Sequence, residues 1–202
     1  VTAAVLGRAR GPRLHLVRHG ESVWNAVGLL QGRNPAVPLT ERGLAQARDV
    51  ALRLRREPVV AVYSSDQLRC MQTAELIAAW HGLPVRRETA LREQCHGVWQ
   101  GRPSARYAPV LAAADPDWAP PGGESARALL RRVSAFVAVL DRIAWPPGGD
   151  VVVVTHGETL RALVAALADR PVERMSRLLP GNGEIRTVED ALRRSRPAGL
   201  AG

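Results

Sequence analysis

The chain is expected to fold as α/β, a three-layer α/β/α sandwich around a mostly parallel central sheet. Two observations predict this. Short apolar runs rich in β-branched residues recur along the sequence, and longer segments with helical apolar spacing lie between them. Strands alternating with helices imply right-handed crossovers and a parallel sheet. The 202 residues suffice for one such domain with a substantial core.

The first expected strand is Leu14 to Val17, and the second is Val59 to Tyr63. The third, Asp150 to Val154, is a continuous valine run, as suits a central strand buried on both faces. Thr40 is a candidate N-cap for a helix carrying Leu44, Ala47, Ala51 and Leu54 at helical spacing. Asp66 to Trp80 reads as a second helix with Leu68, Met71, Glu75 and Ala78 on one line, the glutamate being a defect in it. Ser125 to Ala144 has the clearest amphipathic pattern, and Thr159 to Leu167 reads as a short buried helix. Residues 97–123 hold five prolines and read as a lid-like insertion with one short helix near Ala105 to Ala114. Glu184 to Val188 is a candidate edge strand. One domain is expected over 1–188, with a loose tail over 189–202.

Composition bounds the function. The net charge is +9, yet every one of the 28 basic residues is arginine. Complete loss of lysine, with much Ala, Gly and Pro, points to coding bias rather than to a nucleic-acid surface. The arginines are scattered, and aromatic content of 4% offers no base-stacking platform. Neither a nucleic-acid partner nor a membrane partner is expected. No apolar run is long enough to span a bilayer, and the first dozen residues lack the apolar core of a secretory signal, so a cytoplasmic location is expected. Cys70 and Cys95 read as free, partly buried thiols. His15 and His81 read as structural or solvated. No zinc-ligand spacing and no P-loop appear, so neither a metal nor a cofactor is expected.

Chemistry gathers where the parallel strands end, the place at which open α/β sheets bind ligands. Arg18, His19 and Gly20 follow the first strand. Ser64, Ser65, Asp66 and Arg69 follow the second, and Thr155, His156 and Gly157 follow the third. Two arginines, two imidazoles and helix N-terminal N–H groups together suit a phosphate.

The ordered series Leu-Val-Arg-His-Gly-Glu-Ser (16–22), Asn25, Leu-Gln-Gly (30–32), Pro-Leu-Thr-Glu-Arg-Gly (38–43), Val-Tyr-Ser-Ser-Asp-Gln-Leu-Arg (62–69), Leu-Arg-Glu-Gln-Cys-His-Gly-Val-Trp-Gln-Gly (91–101), Pro-Gly-Gly-Glu-Ser (121–125) and Val-Thr-His-Gly-Glu (154–158) resembles the histidine phosphatase superfamily, also called phosphoglycerate mutase-like. The resemblance covers about residues 13–188 and implies roles. His19 is the implied nucleophile, forming a phosphohistidine. Arg18, Arg69 and His156 hold the phosphoryl group, and Glu93 is the general acid/base. Asn25, Gln31, Gly32 and Gly157 line the phosphate pocket, although an Asn or Gln there equally suits a turn or a helix cap. Glu158 either reads a substrate hydroxyl or pairs with Arg161. His96 stands where the family often has an aromatic, and either meets the leaving group or packs at the lid base.

Three activities fit. A phosphomonoesterase acting on a small phosphorylated metabolite is favoured, because the chain is short and Gln100 to Glu124 resembles the phosphatase branch. A sugar phosphate, a phosphoglycerate derivative, a nucleoside phosphate, an α-ribazole phosphate or a secondary-metabolite phosphate is a compatible substrate. A 2,3-bisphosphoglycerate-dependent mutase and a non-catalytic phosphate-binding module are the alternatives. The oligomeric state is open, a homodimer included.

Overall fold

The computed structural model describes residues 12–176, 178–190 and 192. Five strands form one sheet: β1 (Leu14–Arg18), β2 (Val59–Ser64), β3 (Val85–Arg87), β4 (Asp150–Thr155) and β5 (Ile185–Val188). Their order is β3-β2-β4-β1-β5, and only β5 runs antiparallel. Six helices accompany them among the described residues: α1 (Val23–Ala26), α2 (Glu41–Leu54), α3 (Leu68–His81), α4 (Ser104–Ala113), α5 (Ala126–Asp141) and α6 (Gly157–Leu167). The mostly parallel α/β architecture is the one expected. No helix among the described residues is long and apolar enough to cross a membrane.

The valine run explains the layering. Strand side chains alternate between faces. Val151 and Val153 therefore join Leu14 and Leu16 in a core covered by α5 and α6, with Leu129, Val133, Leu140, Leu160 and Leu163. Val152 and Val154 join Val17 and Val62 in a second core covered by α2 and α3, with Val50, Leu54, Ala74 and Ile77. The whole of β4 is buried, which is what a strand between two helical layers requires.

Local signals set the helix starts. The Thr40 side chain accepts from the Gly43 N–H at 3.0 Å, and Ser125 accepts from the Ala128 N–H at 3.1 Å, each satisfying an otherwise orphaned donor. The lid helix begins at Ser104, one residue before the position expected.

Three readings need correction. The Asp66–Trp80 helix starts at Leu68, and of the Leu68-Met71-Glu75-Ala78 line only Met71 and Ala78 are buried. Thr73, Ala74 and Ile77 are buried, whereas Leu68 and Glu75 face solvent, so Glu75 is no defect in the core. The helix expected from Thr159 begins at Gly157, directly after His156. Strand β3 and helix α1 were not anticipated. A three-residue edge strand and a single capped turn are too short to show a periodicity. The tail expected to be loose lies largely outside the described residues, but Leu192 within it is buried against the first core.

The start of α2 is pressed onto the turn that follows β1. The Thr40 N–H donates to the Glu21 carbonyl at 2.9 Å, and a Cβ on Gly43 would overlap that same carbonyl oxygen. Backbone cannot swing aside as a side-chain tip can. Gly43→Ala should therefore destabilise the chain by about 3 kcal/mol, the upper range for overpacking. The check is a urea unfolding midpoint, and an unchanged midpoint would show that this contact does not constrain the fold.

Candidate active site

β1, β2 and β4 end side by side, and their carboxyl ends carry the site. His19 extends β1 by one bond, its N–H donating to the Thr155 carbonyl at 3.0 Å. The imidazole is buried, and its Nδ1 lies 2.6 Å from the Gly20 carbonyl oxygen. A carbonyl can only accept, so Nδ1 carries the proton and the neutral ring keeps its lone pair on Nε2. Burial, then the charges of Arg69 and Arg18, hold the His19 pKa well below 6.5. The ring is thus a neutral base with a free nitrogen.

His156 N-caps α6 and stands edge-on to His19, with ring centroids 5.1 Å apart and planes at 66°. Its Nε2 is 2.9 Å from Ser65 Oγ and 3.3 Å from Cys70 Sγ. Burial, then Arg69, His19 and Arg18, depress its pKa as well. Burial pushes the Cys70 thiol up, so it stays protonated and packs as a small apolar group.

The cations are the notable electrostatic feature. Arg69 is wholly buried on the first turn of α3, where its Nη1 donates to the Asn34 carbonyl and its Nη2 to the Gly32 carbonyl, each at 3.0 Å. Arg18 Nη1 donates to the Pro180 carbonyl at 2.5 Å. The Nε of both guanidiniums is buried without a hydrogen-bond partner. Neither forms an ion pair with a carboxylate among the described residues. Removing a charge from water costs several kcal/mol. A hydrogen bond from a charged donor to a carbonyl returns only about 1.5–3 kcal/mol net. The floor of the site is therefore made to receive an anion.

Glu93 reaches the same place from the stretch after β3. Its carboxylate accepts from the Glu158 N–H at 3.3 Å, the Thr159 N–H at 3.2 Å and its neighbour Gln94 N–H at 2.9 Å, so it rests on the N-terminus of α6. Its charge acts on both Arg18 and Arg69. Glu158 pairs with Arg161 at 2.5 Å, one of its two anticipated partners. Burial pushes the Glu158 carboxyl up to about 7, with Arg161 opposing the rise and Glu93 adding to it.

The expected pocket residues take scaffold positions. Asn25 closes a capping box with Ser22, and its Oδ1 also accepts from Asn182 Nδ2 at 3.2 Å. Gln31 Oε1 accepts from Ser22 Oγ at 2.8 Å. Gly32 has φ +47°, and a Cβ there would overlap the Gln100 side chain. Its carbonyl orients Arg69. Gly157 lies against Leu179 and Arg18. His96 is buried at the lid base with Nδ1 unpartnered, and burial lowers its pKa.

Sequence reasoning passed over three contributors. Gln67 is buried; it donates to the Gly32 carbonyl at 3.0 Å and to the Asn34 carbonyl at 2.8 Å, and it accepts from the Glu93 N–H at 3.0 Å. It joins the arginine cradle to the candidate acid. Pro180 and Asn182 belong to a strap before β5 that clamps the turn after β1. The Asn182 amide donates to the His19 carbonyl at 3.1 Å. A polar residue just before a helix could have marked Gln67. Nothing local marks the strap.

Among the described residues, His15, Glu57 and Asp150 bring metal-type donor atoms within 4.8 Å of one another. They sit at the opposite edge of the sheet, and the Arg13 guanidinium already binds Glu57 at 2.5 Å and Asp150 at 2.6 Å. His15 bridges Asp150 and Thr187 and is structural.

Comparison with known proteins agrees with this geometry. The chain is 34% identical to the protein described as probable phosphoglycerate mutase GpmB of Yersinia pestis (strain Pestoides F), over 88% of this chain and 84% of that one. The solved mycobacterial glucosyl-3-phosphoglycerate phosphatase, complexed with VO3, is similar at TM-score 0.79 and 34% identity, covering 89% of this chain and 97% of that one. The alpha-ribazole phosphatase of Shigella flexneri is similar at TM-score 0.74 and 30% identity, covering 87% and 89%. The family model described as histidine phosphatase superfamily (branch 1) matches residues 14–196. With the match spanning the sheet and every motif around it, the chain belongs to the histidine phosphatase superfamily.

Proposed function

We propose that the chain is a metal-independent phosphomonoesterase that hydrolyses a small phosphorylated metabolite through a phosphohistidine at His19. The observation that carries this reading is a neutral imidazole with a free Nε2 beside two guanidiniums, each with a buried, unpartnered Nε, that form no ion pair with a carboxylate among the described residues. The similarity to two phosphatases supports it.

In the first step His19 Nε2 attacks phosphorus, and the bond from phosphorus to the ester oxygen breaks. Glu93, protonated, delivers its proton to the departing alkoxide. The imidazole gains positive charge as it is phosphorylated, and the Nδ1–H donated to the Gly20 carbonyl disperses that charge. Arg18 and Arg69 hold the equatorial oxygens, and His156 adds a neutral imidazole beside them. In the second step Glu93 takes a proton from water, the water oxygen attacks phosphorus, and the N–P bond breaks. Gly157, at the N-terminus of α6, faces the same anion. The arginines provide the countercharge for which other phosphoryl-transfer sites use a divalent ion.

A mutase would run the first step and then return the phosphoryl group to a retained product. The similarity to GpmB favours that alternative. Phosphate release from a panel of phosphomonoesters in EDTA, run beside a 3-phosphoglycerate to 2-phosphoglycerate assay with 2,3-bisphosphoglycerate, separates the two. Release in EDTA is expected. Interconversion without release would make the chain a mutase, and activity that returns only with a divalent ion would overturn the metal-independent step. His19→Ala should abolish release while the far-ultraviolet circular dichroism is unchanged. Arg69→Met should lower kcat about a hundredfold, the usual loss of one preorganised donor.

The depressed His19 pKa has a direct readout. An unfolded histidine takes its proton near 6.5, whereas the buried ring resists it, so this group disfavours the folded state as pH falls below 6.5. Ring resonances of His19, followed by NMR on the free protein, should remain those of the neutral Nδ1–H form at pH 6. A ring half-protonated at pH 6.5 would contradict the proposed electrostatics.

A further inference from the structure

The cationic floor accounts for a phosphate but not for the alcohol attached to it. Large apolar side chains are exposed on three segments that hydrogen-bond to the scaffold of the site. The strap before β5 carries Leu178 and Leu179, 76% and 53% exposed. The turn after α1 carries Val27, 66% exposed. The lid carries Val98, 64% exposed, with Val110 and Trp118 also in solvent. Within the lid Trp99 stacks on Tyr107 at 4.5 Å and leans on Trp118 at 5.5 Å.

Two observations tie this apolar surface to the floor. Leu179 Cδ2 lies 3.3 Å from where a Cβ on Gly157 would stand, and Arg18 Cζ lies 3.7 Å from the same point. Leucine methyl and guanidinium are therefore neighbours on the scale of one small molecule. The lid in turn rests on the loop that cradles Arg69. The Gly101 N–H donates to the Leu30 carbonyl at 2.8 Å, the Leu30 N–H to the Arg102 carbonyl at 2.9 Å, and the Arg33 N–H to Gln100 Oε1 at 2.7 Å. Helix α4 itself buries no residue, and its one charged side chain is Arg106. A helix apolar around most of its circumference is made to be covered.

We propose that the site selects phosphomonoesters of apolar or amphipathic alcohols, with the phosphate on Arg18 and Arg69 and the organic part lying between the strap leucines and the lid. The assignment rests on the phosphohydrolase reading above and names its substrate class. A polyol ester would leave its hydroxyls against methyl groups, losing hydrogen bonds to water without replacement. An alkyl or aryl ester would instead bury apolar surface at each position.

The test uses the wild-type chain and two matched series, n-alkyl phosphates from methyl to octyl and the non-hydrolysable n-alkylphosphonates of the same lengths. kcat/KM for phosphate release should rise about two- to fourfold for each added methylene until the lid is filled. Glycerol 3-phosphate should fall well below butyl phosphate. Phosphonate affinity, measured by calorimetry, should rise with the same slope. In the double variant Leu178→Ser, Leu179→Ser the slope should flatten in both series. A flat dependence on length in the wild-type chain, or a preference for glycerol 3-phosphate, would falsify the assignment and leave the exposed rim as a surface for another protein. Length-dependent phosphonate binding with no phosphate release from any ester would overturn the hydrolase reading and uphold the substrate class.

Discussion

Two guanidiniums that form no ion pair with a carboxylate among the described residues, Arg69 wholly buried and Arg18 half-buried, are the constraint around which this molecule is arranged. Burial alone would drive Arg18 and Arg69 toward the surface or toward an acid. The chain instead surrounds them with main-chain carbonyls, from Gly32 and Asn34 for Arg69 and from Pro180 for Arg18. Carbonyls cancel part of the desolvation without cancelling the charge. Burial first, and then the remaining field of the arginines, depresses both histidines and keeps His19 a base in a place where an isolated imidazole would be half protonated near neutrality.

Supplying those carbonyls dictates the course of the loops. The segment 31–35 must fold inward to reach Arg69, which is why Gly32 takes a positive φ and why nothing larger than hydrogen fits beside Gln100. Gln67 then binds the same two carbonyls from the other side and passes the alignment to the Glu93 backbone. Phosphate grip and candidate acid are thus coupled through one buried amide. Arg132 extends the coupling outward, donating to the Ala90 and Glu93 carbonyls and pairing with Glu124 at 2.8 Å at the lid base.

What the sequence revealed follows the range of the forces involved. The valine run of β4, the Thr40 and Ser125 caps and the residues at the strand ends are local signals, and each was readable. His19, His156, Arg18 and Arg69 were found because every one lies at or just beyond the carboxyl end of a strand whose direction the strand–helix alternation fixes. The inner face of α3 was misplaced because its buried stripe includes Thr73 and Cys70, which a search for large aliphatic residues passes over. β3 offers three residues, two of them arginine, and its pairing with β2 is decided by the sheet rather than by its own composition. The contacts of Asn182 and Pro180 span more than 150 positions in sequence, so no window of residues carries them.

That strap shows why the one antiparallel strand matters to chemistry. β5 runs against β1, so the residues that precede it arrive over the end of β1, where His19 stands. The Gly183 N–H donates to the Arg18 carbonyl at 3.1 Å, the Asn182 amide holds the His19 carbonyl, and Thr155 holds the His19 N–H from the opposite side. The backbone of His19 is therefore fixed on both flanks, and its ring is fixed by Gly20. In the proposed reaction a ring so restrained reaches phosphorus without first losing conformational freedom, which is the part of catalysis that positioning supplies. The same strap presents Leu178 and Leu179 to solvent at the mouth. One short segment thus sets the rigidity of His19 and the apolar character of the surface beside it.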